Sequence, residues 1–274
     1  MTNTDDLVDA QDAVWEWLAA DLNCSLTRST VLRPDPGACR AALRQLRLNA
    51  ESRLGAIVLN TAGILLHENW VRVYGGSGGG PDGLPGIAEV NGFHRPTGAD
   101  RRPSGGLVVA HDVLGGVFVV NGPEPRSHGR PGRPDDVIYF CPSTLAWQTT
   151  GLDHDRWLDW LVNGGAAGHY REVLWPTWRS DTAGLGPRQG MSVHPAPWSA
   201  EAEDGFALPV RRPAPLQEVL DGHVASCVRL GRPHPGALGT VEAEAPHRRP
   251  TVHSGRCGER TPGAAGTKCR DLSH

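Results

Sequence analysis

Lysine is almost absent. Lys268 is the single lysine among 27 basic side chains, so arginine carries nearly all the positive charge. That preference reads as a coding bias and is given no functional weight. Tyrosine and phenylalanine are scarce, at 3 and 4 residues, and methionine occurs twice. No run approaches the ~18 apolar residues that a membrane-spanning helix needs, so no membrane partner is expected. The first residues lack a basic cluster and a long apolar stretch. Asp5, Asp6, Asp9 and Asp12 also oppose a secretory signal, so a cytoplasmic location is expected. The cysteines (24, 39, 141, 227, 257 and 269) are scattered through a chain too large to need disulfides, and reduced thiols are expected.

Net charge is also small, at −3 over 274 residues, but it is unevenly spread. Residues 231–274 carry seven basic and four acidic side chains, a net of +3, which leaves −6 on residues 1–230. A body of that sign repels phosphate backbones, and its basic pairs Arg101-Arg102 and Arg211-Arg212 make no patch. No nucleic-acid partner is expected. Glycine and proline are plentiful, at 35 and 23 residues, which points to many loops or a disordered part. A chain of this length buries about 70% of its unfolded surface, so a real core is available.

The expected elements follow from periodicity. Leu7–Ala20 reads as a helix with acids in its first turn, and Ala38–Leu48 as a second with arginines outward. The apolar period then becomes that of strands over Gly55–Leu59, Ile64–His67 and Val71–Tyr74. Gly75–Gly86 and Pro96–Gly106 read as flexible loops. Leu107–Ala110 and Val117–Val120 form a central hairpin around His111-Asp112-Val113-Leu114-Gly115-Gly116, and Val137–Phe140 adds a strand. Asp153 caps a helix to Val162, and Asn163-Gly164-Gly165 ends it. Helices over Ala166–Leu174 and Thr177–Gly186 follow, then an irregular stretch to Trp198 with a short strand. The fold class is α+β: N-terminal helices, a central mostly antiparallel sheet, and C-terminal helices on one face. One domain is expected over 1–230. Residues 231–274, poor in large apolar side chains, are expected to be a disordered tail.

The chemistry-bearing motifs are incomplete. Gly75-Gly76-Ser77-Gly78-Gly79 matches G-x-S-x-G, but a nucleophile elbow needs a helix at once, and Pro81, Gly83, Pro85 and Gly86 forbid it. No G-K-[ST] follows for phosphate. The histidines at 67, 94, 111, 154 and 169 lack metal-ligand spacing, and His247, His253, Cys257 and Cys269 lack a C-x2-C pair. Asp112 at a hairpin tip, beside an imidazole, suits acid/base chemistry. An aspartate in a turn more often hydrogen-bonds its own backbone two residues on, and that structural role is favoured. Six of the 9 tryptophans lie between 147 and 198, where core packing is the default and Trp147 and Trp198 are the better surface candidates.

GAIVLNTAGILLHENWVRVYGGSG, LVVAHDVLGGVFVVNG and VIYFCPSTLAW resemble an uncharacterised bacterial family, a domain of unknown function. Its signature reads like A-D-D-V-L-G-G followed by P-D-T-L-x-W. The resemblance covers roughly residues 5–225. Trp70, Asp112, Gly115, Gly116, Asn121, Gly122 and Trp147 fit the pattern. His111 stands in place of an Asp, Ser143 in place of an Asp, and Asn69 in place of a Gly. A weaker similarity, over residues 105–163, links the chain to the SMI1/KNR4-like superfamily of yeast cell-wall regulators and bacterial immunity proteins. It implies a protein-binding α+β module without catalysis.

A non-enzymatic protein-interaction module, immunity-protein-like, is therefore expected, with another protein as partner. Its expected surface or signature residues are Trp70, Asp112, Gly115, Gly116, Asn121, Trp147 and Trp198. No catalytic residue, metal ligand or cofactor is assigned. The alternative is an enzyme using Asp112 and a histidine brought in by folding.

Overall fold

The computed structural model of the chain describes residues 4–80, 83–93, 105–203 and 210–241. Three helices and one strand open the chain: α1 (Thr4–Asn23), β1 (Ser29–Leu32), α2 (Pro36–Gln45) and α3 (Arg53–Asn60). Asp35 starts α2 by accepting from the amides of Gly37 (2.7 Å) and Ala38 (3.1 Å), with Pro36 at the first helical position. The strand expected over Gly55–Leu59 is instead part of α3. A short apolar run fits a buried helix as well as a strand. Two local features decide it. Ser52 caps the helix by accepting from Gly55 N at 3.0 Å. Gly55 lets the Asn49 carbonyl come so close that a Cβ would lie 1.9 Å from its oxygen. Leu54 to Val58 are all buried.

Then come β2 (Gly63–Leu66), β3 (Val71–Tyr74), α4 (Ile87–Val90), β4 (Gly106–Asp112), β5 (Val117–Asn121), β6 (Asp136–Cys141) and β7 (Ala146–Asp153). β1 to β7 form one antiparallel sheet in strict chain order. The C-terminal part adds α5 (His154–Val162), α6 (Gly165–His169), α7 (Trp178–Ala183), β8 (Gln189–His194), α8 (Ala200–Glu203), β9 (Val210–Pro215) and α9 (Leu216–Arg229), with β8 and β9 paired in a second sheet. The architecture is α+β. The cap that Asp153 was expected to supply for α5 is present, accepting from Arg156 N at 2.9 Å.

Directly opposed residues of an antiparallel ladder share a face, so two rows run across the sheet. Val31, Ile64, Val73, Ala110, Phe118, Tyr139 and Gln148 lie on one side, where Phe118 meets Trp157 of α5 (ring centroids 5.2 Å). Thr30, Leu65, Arg72, His111, Val117, Phe140 and Trp147 lie on the other, where Phe140 meets His223 of α9 (6.2 Å). Where β4 runs beyond β3, the Asn91 side chain substitutes for a strand: it donates to Val108 O (2.9 Å) and accepts from Val108 N (2.8 Å).

The Gly-rich loop is not free over its first part. A Cβ at Gly75 would lie 2.2 Å from Thr61 O, and one at Gly76 2.0 Å from Val58 O, so close backbone approach demands glycine at both. Ser77 is fully buried, and its Oγ accepts from Asp35 N at 2.9 Å. The β2–β3 turn is left-handed at three non-glycine residues, His67, Glu68 and Asn69 (φ 55°, 55° and 65°).

The expected boundary at Leu230 falls inside the packed body. Residues 231–241 cross the sheet face that bears His111 and Trp147. His111 Nε2 donates to Leu238 O (2.7 Å), Trp147 Nε1 to Pro235 O (2.9 Å) and Thr240 N to Val90 O (2.8 Å). Val241 N donates to Gln217 Oε1 (2.7 Å), and Leu238 and Val241 are buried. The segment has little apolar content, but it is held by backbone carbonyls meeting fixed donors, which composition does not register. The rest of the expected tail, 242–274, lies outside the described residues, as does most of the loop expected over Pro96–Gly106.

A chain truncated after Leu230 is expected to lose at least about 3 kcal/mol relative to one ending at Glu244, from two buried aliphatic side chains and the donors they leave unpaired. Urea denaturation of the two truncations checks this. Asn69→Ala is expected to destabilise by about 1 kcal/mol, since alanine tolerates the left-handed region less well than asparagine; the same assay reads it.

Candidate functional site

The hairpin between β4 and β5 turns on Asp112. The residue is fully buried, not exposed at a tip. Its Oδ1 accepts from the amides of Leu114 (2.8 Å) and Gly116 (2.9 Å), the first being the bond two residues on that favoured a turn role. Its Oδ2 accepts from the hydroxyls of Tyr139 on β6 (2.7 Å) and Tyr170 just after α6 (3.2 Å). Four donors thus meet one carboxylate. No histidine is hydrogen-bonded to it among the described residues.

Both signature glycines are explained by this packing. A Cβ on Gly116 would lie 2.0 Å from Asp112 Oδ2 and 2.3 Å from the Tyr139 hydroxyl. Gly115 has φ +82°, and its Cβ would lie 2.7 Å from His223 Nε2. That ring nitrogen bonds Leu114 O at 2.8 Å, which ties α9 to the same turn. The carbonyl can only accept, so Nε2 carries the proton. Tyr139 and Tyr170 are held well above the ordinary tyrosine range, first by burial and then by the Asp112 charge, so both remain O–H donors.

Next along β4, His111 is fully buried and donates from Nε2 to Leu238 O. Its Nδ1 is therefore free to accept from the Tyr74 hydroxyl at 2.6 Å, which is the neutral tautomer's pattern. Burial brings its pKa down to about 4; the bond to Leu238 opposes the shift and the Arg72 charge adds to it. An aspartate here could not donate to the Leu238 carbonyl, so His111 supports the strap over this sheet face. Cross-strand from it, Arg72 is buried and donates from Nη1 to Gln189 O at the start of β8. Burial lowers its pKa to about 10, against the opposing pull of Tyr74 and Asp112, so it stays charged at neutral pH.

Trp70 stands behind the turn. Its carbonyl accepts from Val113 N (3.0 Å), and its ring meets Tyr170 (5.4 Å), Trp175 (5.4 Å) and Trp178 (5.6 Å). This aromatic cluster seats α6 and α7 on the sheet. The structure thus brings Trp70, Asp112, Gly115 and Gly116 together. Asn121 lies at the far end of β5, where its Nδ2 donates to Pro131 O (2.8 Å) and Arg133 O (3.1 Å) and shapes the β5–β6 connection. Trp147 is half-buried on the opposite face under Pro235, with the Arg130 guanidinium 4.8 Å from its ring. Trp198 lies apart, half-buried, with Arg229 at 5.4 Å. Tyr139, Tyr170, Arg72 and His223 escaped sequence reasoning. Only Arg72 left a signal there, as a charge inside the apolar run Val71-Arg72-Val73-Tyr74.

Among the described residues, no three His, Cys, Asp or Glu side chains gather as metal ligands would, and no helix is long and apolar enough to cross a membrane. The four described cysteines, Cys24, Cys39, Cys141 and Cys227, are free thiols.

A seven-stranded antiparallel α+β sheet organised on one internally bonded aspartate is the class of protein that fold and site define. The chain belongs to the family described as "Protein of unknown function DUF2625", whose profile matches residues 4–219. It is 28% identical over 204 residues to the uncharacterized protein YbfG of Escherichia coli (strain K12), covering 74% of this chain and 88% of that one. It is 27% identical over 191 residues to an uncharacterized protein of Haemophilus influenzae, covering 69% and 79%. No solved structure matches it.

Asp112→Ala is expected to destabilise the fold by about 3 kcal/mol or more, because two hydroxyls and two amides lose a charged acceptor in the interior. Denaturant unfolding measures it. Stability is also expected to fall with acid. Above the unfolded histidine pKa, ~6.5, both states are neutral and the contribution of His111 is complete. As pH drops from there toward about 4, the unfolded chain takes a proton that the folded one refuses. The gap corresponds to roughly 3 kcal/mol lost across that window. His223 and His67, also lowered by burial, act in the same direction. His111→Gln should flatten the pH dependence of the urea midpoint between pH 6.5 and 4.

Proposed function

We propose that this chain is a non-catalytic protein-interaction module. One observation carries the reading: the Asp112 carboxylate is fully buried, and both its oxygens are occupied by donors of the chain itself. Acid/base or nucleophilic chemistry needs a group that can reach a substrate proton or reacting atom. Asp112 reaches neither, and the hydroxyls of Tyr139 and Tyr170 are turned toward it. In the enzyme alternative, Asp112 would act with a histidine; among the described residues no histidine is hydrogen-bonded to this carboxylate, and its Oδ2 takes two tyrosine hydroxyls instead.

The surface supports a protein as partner. β1 is an outer strand of the sheet, only four residues long, and Val31 on it is exposed. Leu26, just before it, is 84% exposed, and Trp17 on α1 is half exposed. An outer strand with bare apolar side chains suits edge pairing with another chain. The immunity-type role implied by the resemblance over residues 105–163 belongs to the same reading.

The test is recovery of a partner by cross-linking and affinity purification from the native host, using the full chain and a Leu26→Asp/Val31→Lys variant. A protein recovered in stoichiometric amount with the parent, and about tenfold less with the variant, is expected. Absence of any stoichiometric protein partner, or substrate turnover lost in a folded Asp112→Asn variant, would sink the reading.

A further inference from the structure

A second site lies on the sheet face away from the strap. Between β5, β6 and β7 on one side and α5 and α6 on the other is a cavity of about 280 Å3. Phe118 and Tyr139, cross-strand neighbours, line it from the sheet; Trp160 of α5 and His169 of α6 line it from the helices; Gln148 and Thr149 stand on β7. The rings form the corner of a box. Tyr139 and His169 meet at 76° with centroids 4.9 Å apart, and His169 and Trp160 at 82° and 5.6 Å. Trp160 is held there because the backbone beneath it is glycine: a Cβ on Gly165 would lie 2.1 Å from its Nε1.

The electrostatics of this box lean one way. Among the described residues, no lysine, arginine, aspartate or glutamate lines it. Aromatic faces carry negative quadrupole potential. Behind the Tyr139 ring, at 2.7 Å from its hydroxyl, lies the Asp112 carboxylate, which Arg72 offsets in part. A neutral apolar guest would gain from burial alone, and an anion would face both the rings and the buried carboxylate. A cation whose own surface is apolar satisfies both features.

We infer that this cavity is an aromatic cage for the alkylated ammonium group of a small free solute. The inference does not depend on the protein-binding reading, and either can fail without the other. Size favours a compact group over a long chain, and the Gln148 amide and Thr149 hydroxyl at the β7 side give a polar tail something to meet.

Calorimetric titration of the full chain with choline and with tetramethylammonium tests it, against 3,3-dimethylbutan-1-ol, which has the shape of choline without its charge. Choline is expected to bind saturably and about tenfold more tightly than the alcohol. Gln148→Arg, a substitution at an exposed position, places a positive charge on the cavity wall. It should weaken choline about tenfold more than it weakens the alcohol, whose hydroxyl meets the same side chain. Trp160→Leu should reduce the preference for choline over the alcohol, independently of the first variant. Melting curves establish that each variant is folded. Equal affinity for choline and the alcohol, or no saturable binding of either cation by the parent chain, overturns the inference.

Discussion

The interaction on which the rest of this fold depends is a buried carboxylate answered from four directions. Asp112 holds its own turn through Leu114 and Gly116, reaches across β5 to Tyr139, and reaches out to Tyr170 after α6. A carboxylate in an apolar interior is costly unless hydrogen-bonded. Here those bonds come from elements far apart in the chain, so the same requirement that satisfies the charge assembles the domain. Arg72, buried and charged one strand away, offsets part of the negative charge and anchors β8 through Gln189 O.

The two faces of the sheet are finished differently. The face bearing Phe118 and Tyr139 is covered by helices whose aromatic side chains pack on it. The opposite face carries Arg72 and His111 within its apolar row, and an irregular segment covers it together with α9. A segment without regular structure must find partners for its carbonyls elsewhere. Trp147 and His111 are those partners, which is why polar and aromatic side chains stand in the middle of a strand row that would otherwise be aliphatic.

The family signature therefore reads as architecture. The aspartate takes the turn amides, the two glycines make room for a carboxylate, a tyrosine hydroxyl and a histidine ring, Trp70 seats two helices, and Asn121 shapes the next connection. None of these side chains presents a reactive atom to solvent. The two recognition surfaces proposed for this chain lie outside the motif residues themselves: an outer strand, and an aromatic cavity one ring removed from Asp112.

Local patterns in the chain already specified the α+β class, the central hairpin, the turn role of Asp112, the cap at Asp153, and the core role of Trp157, Trp175 and Trp178. Those features depend on neighbours within a few residues, where periodicity and turn chemistry act. The apolar run Gly55–Leu59 is a helix for a reason that is also local, the Ser52 cap and the space that Gly55 leaves for the Asn49 carbonyl, which the periodicity of the run does not carry. Tertiary contact decided the others. Residues 231–241 became part of the body because donors on β4 and β7 waited for their carbonyls. Tyr139, Tyr170 and His223 became partners of one turn because the sheet and its covering helices meet there. Such pairings join residues from 27 to 109 positions apart, and their stabilisation comes from burial of both partners together, which no local window of sequence contains.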